Sequence, residues 1–330
     1  MITSSIRSRL TAVAVAAALL LGGSAIATAQ PGPDAGQSAV AASTTCLGAR
    51  ATLSSKCSKP YKVTSRTKPA VARTDIGKGV REVDDCKQFI AVPDVKTCTI
   101  GSTKPKTTLA LIGDSHAGVV LEPFDKYGKA HGIRFVTYIK TWCAGTGAKN
   151  IFVQGGSPEI VKSCTDWGKA ALKDIRADKK IEGVVFTNFT GAYANPSDPN
   201  VGRAITTKDY LRAWKPLIAA GKKVIVLRDV PNAGAVAIPD CVAARLDKYD
   251  PCSTKRSVGL LAANEDPQLL AAKKLSKVSV VDVTDVFCDA KRCHSVIGGL
   301  VVYFDSYHLT ATFSRSMASV LGRRVVAALD

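Results

Sequence analysis

Short, largely apolar runs alternate with longer amphipathic stretches through most of this chain, and that alternation limits the fold more than any other feature. Residues 107–112, 134–139, 183–187, 223–228 and 278–282 have strand length and strand composition. The third of these is wholly apolar, as fits a strand buried on both faces of a sheet. Helices are expected between them at 117–131 (despite Pro123), 157–178, 207–220 and 266–275, with a closing helix at 310–329. Ser157 is placed as an N-cap with Pro158 at the first helical position, and Gly221 as a C-cap. The pattern predicts an α/β fold, a three-layer α/β/α sandwich of flavodoxin-like type with a mostly parallel sheet of about five strands.

The first predicted strand ends in Gly113-Asp114-Ser115-His116. A serine on the turn after a central parallel strand meets solvent at the C-terminal edge of the sheet. The first N–H groups of the following helix have no acceptor of their own there. Ser115 is therefore the candidate nucleophile, set against its alternative as a simple helix cap. A serine needs a base, and Tyr303-Phe304-Asp305-Ser306-Tyr307-His308-Leu309-Thr310 holds one. Asp305 stands three residues before His308, an offset at which a carboxylate holds one imidazole nitrogen while the other faces the serine. Asp114 is expected to brace the turn and His116 to support the site.

The two blocks together resemble the SGNH (GDSL-like) hydrolase family, closest to the SGNH domain fused to membrane acyltransferase-3 proteins, over residues 105–330. The resemblance implies a Ser115–His308–Asp305 triad. It also implies an oxyanion site built from the Ser115 N–H, a glycine N–H after the second strand and an asparagine side chain after the third. Gly145 in Trp142-Cys143-Ala144-Gly145 is the chosen glycine, with Gly147 as the alternative, and Asn188 is the asparagine. The family's G-x-N-D block is altered here: Phe186 stands in place of the glycine and Phe189 in place of the aspartate.

Compartment is read from both ends of the composition. Residues 1–29 carry a basic start (Arg7, Arg9), an apolar stretch over 10–21 and a small-x-small site at Ala27-Thr28-Ala29, the pattern of a signal peptide. No later run of about 20 apolar residues follows, so no transmembrane helix is expected after cleavage. Residues 30–45 read as a flexible leader, 46–104 as a loop-rich, disulfide-tied prefix, and 105–330 as the SGNH domain. Ten cysteines fit an oxidising compartment. Pairing of sequential neighbours is the simplest scheme: Cys46–Cys57, Cys86–Cys98, Cys143–Cys164, Cys241–Cys252 and Cys288–Cys293. Sequence does not select among the other connectivities. Cys288 and Cys293 with His294 also suggest a zinc cluster, but without a second nearby pair no metal is expected, and no cofactor.

The formal net charge is +18, and removing Arg7 and Arg9 leaves +16. Such a surface suits cell-wall polymers or anionic headgroups as well as plain solvation. Scattered lysines, 6% aromatics and no recognisable nucleic-acid motif argue against nucleic acid as partner. The expected function is a secreted serine esterase of the cell envelope. It removes or transfers a small acyl group, taken as O-acetyl, on an acylated envelope glycan or glycolipid, with a membrane acyltransferase as candidate partner. The alternative is a non-catalytic, basic glycan-binding protein on a degenerate SGNH scaffold.

Overall fold

A computed structural model of the chain describes residues 45–81, 86–198 and 200–330. The expected signal peptide and nearly all of the leader fall outside the described residues.

The sheet has six strands, one more than expected. In chain order they are β1 (Thr97–Gly101), β2 (Thr107–Gly113), β3 (Ile133–Ile139), β4 (Gly183–Phe186), β5 (Lys223–Leu227) and β6 (Val278–Val281). Their order across the sheet is β1-β3-β2-β4-β5-β6. All neighbours run parallel except β1, which pairs antiparallel with β3. The unforeseen strand is β1, from the prefix. Its exposed and half-buried positions alternate because an edge strand leaves one side to solvent, so it lacks the apolar run that marks the inner strands. The prefix also touches the far end of the chain. Gly298 N–H donates to Pro60 O at 2.7 Å and Ala311 N–H to Asp75 O at 2.8 Å.

Two helical layers cover the sheet. One contains α2 (Leu121–His131), α7 (Ala311–Ser316) and α8 (Ala318–Ala327), packed with Leu109, Leu111, Val185 and Ile225. The other contains α3 (Pro158–Ala177), α5 (Thr207–Ala219) and α6 (Pro267–Ala272), packed with Ala110, Ile112, Val184 and Val226. Successive residues of one strand thus enter opposite cores, the period-two rule at work on a sheet buried twice. Two expected helices are broken in the structure. The segment at 117–131 is a short α1 (Ser115–Gly118) followed by α2, with Pro123 inside the first turn of α2, where its missing N–H costs nothing. The closing helix divides at Met317 into α7 and α8.

The chain builds outward from β2 to β3 on one side, then crosses to β4 on the other. Strand order therefore reverses at β2, and a crevice opens beyond the carboxyl ends of β2 and β4. Gly113 lets those ends approach: a Cβ there would lie 1.8 Å from the Thr187 carbonyl oxygen. Gly113→Ala is expected to cost about 2–3 kcal/mol and to lower the melting temperature by several degrees. A variant that melts with the wild type would show that the strand ends separate freely.

Candidate active site

The crevice holds the GDSH turn. Asp114 caps α1, its Oδ1 accepting from His116 N–H at 2.8 Å. Its Oδ2 accepts from Phe189 N–H at 3.0 Å and from the Tyr193 hydroxyl at 2.8 Å. Phe189 and Tyr193 belong to the turn after β4 and to α4 (Thr190–Ala194). One buried carboxylate therefore fastens the β2 turn to the β4 turn. Burial pushes the Asp114 carboxyl up, while His116 and the bonds from Phe189 and Tyr193 pull it down.

Ser115 is the first residue of α1. Its Oγ lies 2.8 Å from Nε2 of His308, a residue 193 positions away. Nδ1 of His308 lies 2.6 Å from Asp305 Oδ2. Asp305 Oδ1 accepts from the backbone N–H groups of Tyr307 at 2.8 Å and His308 at 2.7 Å. Burial raises the Asp305 carboxyl, but the bonds from His308 and from those two amides more than offset it, so the group sits below its ordinary value. An ionised Asp305 only accepts, which puts the imidazole proton on Nδ1 and leaves the Nε2 lone pair facing the Ser115 hydroxyl. The segment is held from outside as well. Phe304 N–H donates to His308 O at 3.0 Å, Ala233 N–H to Ser306 O at 2.7 Å, and Ile238 N–H to Asp305 O at 3.2 Å.

Around this line the structure places the remaining candidates unequally. Gly145 is buried in the loop after β3, in the left-handed region at φ 70°. A Cβ there would meet Ile112 Cγ1 at 2.8 Å, so the loop lies against the end of β2. Gly147, the alternative, packs instead on α3, where a Cβ would meet Lys169 N at 2.9 Å. Among the described residues, the N–H groups of Ser115 and Gly145 have no acceptor. Asn188 turns inward. It has no exposed surface, its Nδ2 donates to Ala144 O at 3.3 Å, and its Oδ1 accepts from the Tyr210 hydroxyl at 3.2 Å. Its amide thus ties the β4 turn to the Gly145 loop.

Two features were missed in the sequence. Asp229, just past β5, lies with Oδ1 2.6 Å from His116 Nδ1, a second His–Asp pair beside the first. Burial lowers His116 and raises Asp229, and both directions disfavour separated charges, so the contact is a hydrogen bond held inside protein more than an ion pair. The only available signal was position, since a carboxylate directly after a parallel strand stands at the functional edge. The other is a group of aromatic rings. Phe189 stacks on His116 at 4.3 Å and lies 5.3 Å from Tyr307 and 6.2 Å from Trp142, and Tyr307 lies 4.4 Å from His308. The aromatic that replaces the family's aspartate is thus part of a packed layer. Trp142 holds a left-handed backbone (φ 54°), a strained state for a bulky residue at the site's rim.

All ten cysteines form the five neighbour-to-neighbour bridges. Cys143–Cys164 joins the Gly145 loop to α3. Cys288–Cys293 joins the two cysteines considered for zinc, and His294 lies with Nδ1 2.9 Å from Asp250 and stacks on Tyr61.

Residues 84–323 match the family described as the SGNH domain (fused to AT3 domains). The chain belongs to the SGNH family. This SGNH chain is similar in structure to the lipopolysaccharide acetyltransferase periplasmic domain of Salmonella ser. Paratyphi A, at 16% identity and TM-score 0.52, over 68% of this chain and 85% of that one. At such identity the likeness concerns the fold. A putative acylhydrolase of Bacteroides fragilis (14%, TM-score 0.39, 70% of this chain and 91% of that) aligns more distantly. So does a GDSL-like lipase of Bacteroides thetaiotaomicron (14%, TM-score 0.38, 69% and 93%). No curated protein matches the chain. The SGNH match begins at residue 84, so it takes in β1 and reaches further toward the N-terminus than the resemblance in the motifs.

Burial is the chief influence on His308, whose side chain is 12% exposed. It lowers the imidazole from the usual 6.5. Nearby His116 lowers it further, and Asp305 and Asp114 raise it without reversing the result. A lowered value keeps the neutral form, the one able to take a proton, present below pH 6.5. In an NMR titration the His308 ring is expected to show a midpoint below 6.5. A midpoint above it would mean that the Asp305 charge outweighs desolvation.

Proposed function

We propose that the chain is an exported serine esterase or O-acyltransferase that acts on a small acyl ester, O-acetyl in the first instance, of a cell-envelope glycan or glycolipid. The observation that carries this reading is the unbroken line Ser115 Oγ, His308 Nε2, His308 Nδ1 and Asp305 Oδ2, with separations of 2.8 and 2.6 Å, at the mouth of the crevice. Ser115 Oγ attacks the acyl carbon as its proton passes to His308. Asp305 stabilises the imidazolium that results. The N–H groups of Ser115 and Gly145 receive the developing oxyanion, an effect typically worth about 3–4 kcal/mol per donor. His308 then returns the proton to the departing sugar alkoxide. Water releases the acyl group from Ser115 by hydrolysis, or a second sugar hydroxyl accepts it by transfer. Asn188 acts by holding the Gly145 loop in place, and Asp114 and His116 by holding the turn.

Five disulfides and the signal-like start support an envelope or extracellular location. Residues 105–330 form the catalytic unit in this reading, and 46–104 a prefix to it. The fusion of this family to AT3 domains, and the periplasmic acetyltransferase domain among its structural neighbours, favour envelope carbohydrate as acceptor and a membrane acyltransferase as partner. Among the described residues no helix is long and apolar enough to cross a membrane. The inward turn of Asn188 favours one other reading, a glycan-binding protein without turnover.

Hydrolysis of p-nitrophenyl acetate separates the two. Ser115→Ala is expected to lower kcat/KM by about 10³-fold or more, and Asp305→Asn by a similar factor. A fluorophosphonate probe is expected to label Ser115. Folded wild-type protein that neither turns over nor labels would assign the chain to the binding class.

A further inference from the structure

On the α3 and α5 side of the sheet lies a cavity of about 510 Å³ that no member of the triad lines. It begins at the loop that carries Gly145, continues along one stripe of α3 and is closed by α5. Six cationic side chains and one acid line it. The acid, Asp209, is already taken. Arg203 Nη1 donates to its Oδ2 at 2.8 Å and Nη2 to its Oδ1 at 2.9 Å, a bidentate pair, and the same Asp209 carboxylate completes a capping box with Thr206 at the start of α5. That leaves Lys149, Lys169, Lys173, Arg176 and Arg212, for none of which is an ion pair found among the described residues.

Lys169, Lys173 and Arg176 stand at i, i+4 and i+7 on α3, and so share a face. Like charges at that spacing repel, and the neighbouring acid Asp166 is engaged by Lys162. The floor is less polar: Leu172, Ala213, Pro216 and Leu217. A concave site with a cationic rim and no free acid is matched by an occupant that brings several oxyanions at once. Concavity argues against a flat bilayer as that occupant. So does the absence of an aromatic or large exposed apolar side chain from the lining, which a membrane-seated surface would use as an anchor. The same lack of aromatic rings removes the stacking platforms that single-stranded nucleic acid needs.

The geometry points to a subsite for an anionic glycan, one whose sugar units carry phosphoryl or carboxylate groups. Guanidinium and ammonium groups both recognise these oxyanions, the guanidinium by a paired fork and the ammonium as a point charge. The subsite is coupled to the crevice through covalent structure. Thr146, Gly147, Ala148, Lys149 and Asn150 line the cavity, and they directly continue the loop whose Gly145 packs on Ile112. Cys143–Cys164 and the Thr165 hydroxyl, which donates to Ala148 O at 3.1 Å, fix that loop to α3. A polymer seated on the cations is therefore held along the loop that packs on the end of β2, the strand that carries the Ser115 turn. Calling the occupant a substrate rests on the esterase reading above, but the existence of the anion site does not.

The test uses the purified full chain and the double variant Lys173→Glu, Arg176→Glu. Both positions are exposed, and neither belongs to the triad or the oxyanion site. Calorimetric titration with inorganic tripolyphosphate, and separately with a short oligogalacturonate, is expected to show saturable binding to the wild type that weakens as salt is raised. The double variant is expected to bind about tenfold more weakly or worse, with p-nitrophenyl acetate turnover unchanged because that neutral ester reaches only the crevice. Equal binding by variant and wild type, or no saturable binding to either probe, would overturn the subsite. Binding confined to phosphatidylglycerol vesicles would overturn it too, and would make this face a membrane contact. Anion binding without any esterase turnover would instead remove the catalytic reading and leave the subsite standing.

Discussion

The hydrogen bond between Ser115 and His308 closes because the strand order reverses at β2. A strand at a reversal has its two following connections leaving on opposite sides, so the space above its carboxyl end stays open. Ser115 occupies that space from β2. Gly145 reaches it from the loop after β3, Asn188 and Phe189 from the turn after β4, and Asp229 from the end of β5. The Asp305–His308 turn arrives last and is fastened to the loop after β5 by two backbone bonds. Each contributor is a short segment anchored to a buried strand, which is how residues far apart in the chain reach hydrogen-bonding distance with little freedom left.

Polar groups in this region are buried at a cost that local bonding answers for most of their atoms, although among the described residues the buried Nε2 of His116 has no hydrogen-bond partner. Asp114, with 1% of its surface exposed, accepts three hydrogen bonds. His116 is paired through Nδ1 and covered by Phe189. These groups do not meet solvent as His308 and Ser115 do, and their effect is to stiffen the floor on which the two stand. The Gly145 loop is treated in the same way. Lys140, at the end of β3, has no exposed surface, and its ammonium donates to Val92 O at 2.6 Å and Ser163 Oγ at 2.7 Å. Burial draws that amine down to about 8. Prefix, β3 and α3 are joined at one point immediately before the loop, and Cys143–Cys164 joins loop and helix again three residues later.

Charge is distributed differently. The triad is built from a serine, a histidine and an aspartate, while the cavity between α3 and α5 gathers six cationic side chains. Under the proposals made above, chemistry and anchoring are divided between two places on one loop, with the acyl group at the sheet edge and the anionic part of its carrier on the helical face.

The parallel sheet, the two helical layers, the GDSH turn and the D-x-x-H turn were all legible in the chain, because each leaves a local mark. Wholly buried strands must be apolar throughout, amphipathic helices repeat every three to four residues, and an aspartate three positions before a histidine meets it by local geometry alone. The neighbour-to-neighbour disulfides match the simplest pairing the chain offered, but it was the folded structure that selected it from the other connectivities. What left no such mark was decided by tertiary packing. An edge strand half open to water looks like loop, so β1 was unreadable. Asp229 is one acid among 27 Asp and Glu residues until β5 lies beside β4. The direction of the Asn188 amide depends on Ala144 and Tyr210, residues 44 and 22 positions away. Sequence by itself determined which residue types stand at the ends of which strands, since periodicity and turn chemistry are local. Which of them face one another was settled only when the sheet assembled, because pairing across a sheet depends on order and register that no single segment contains.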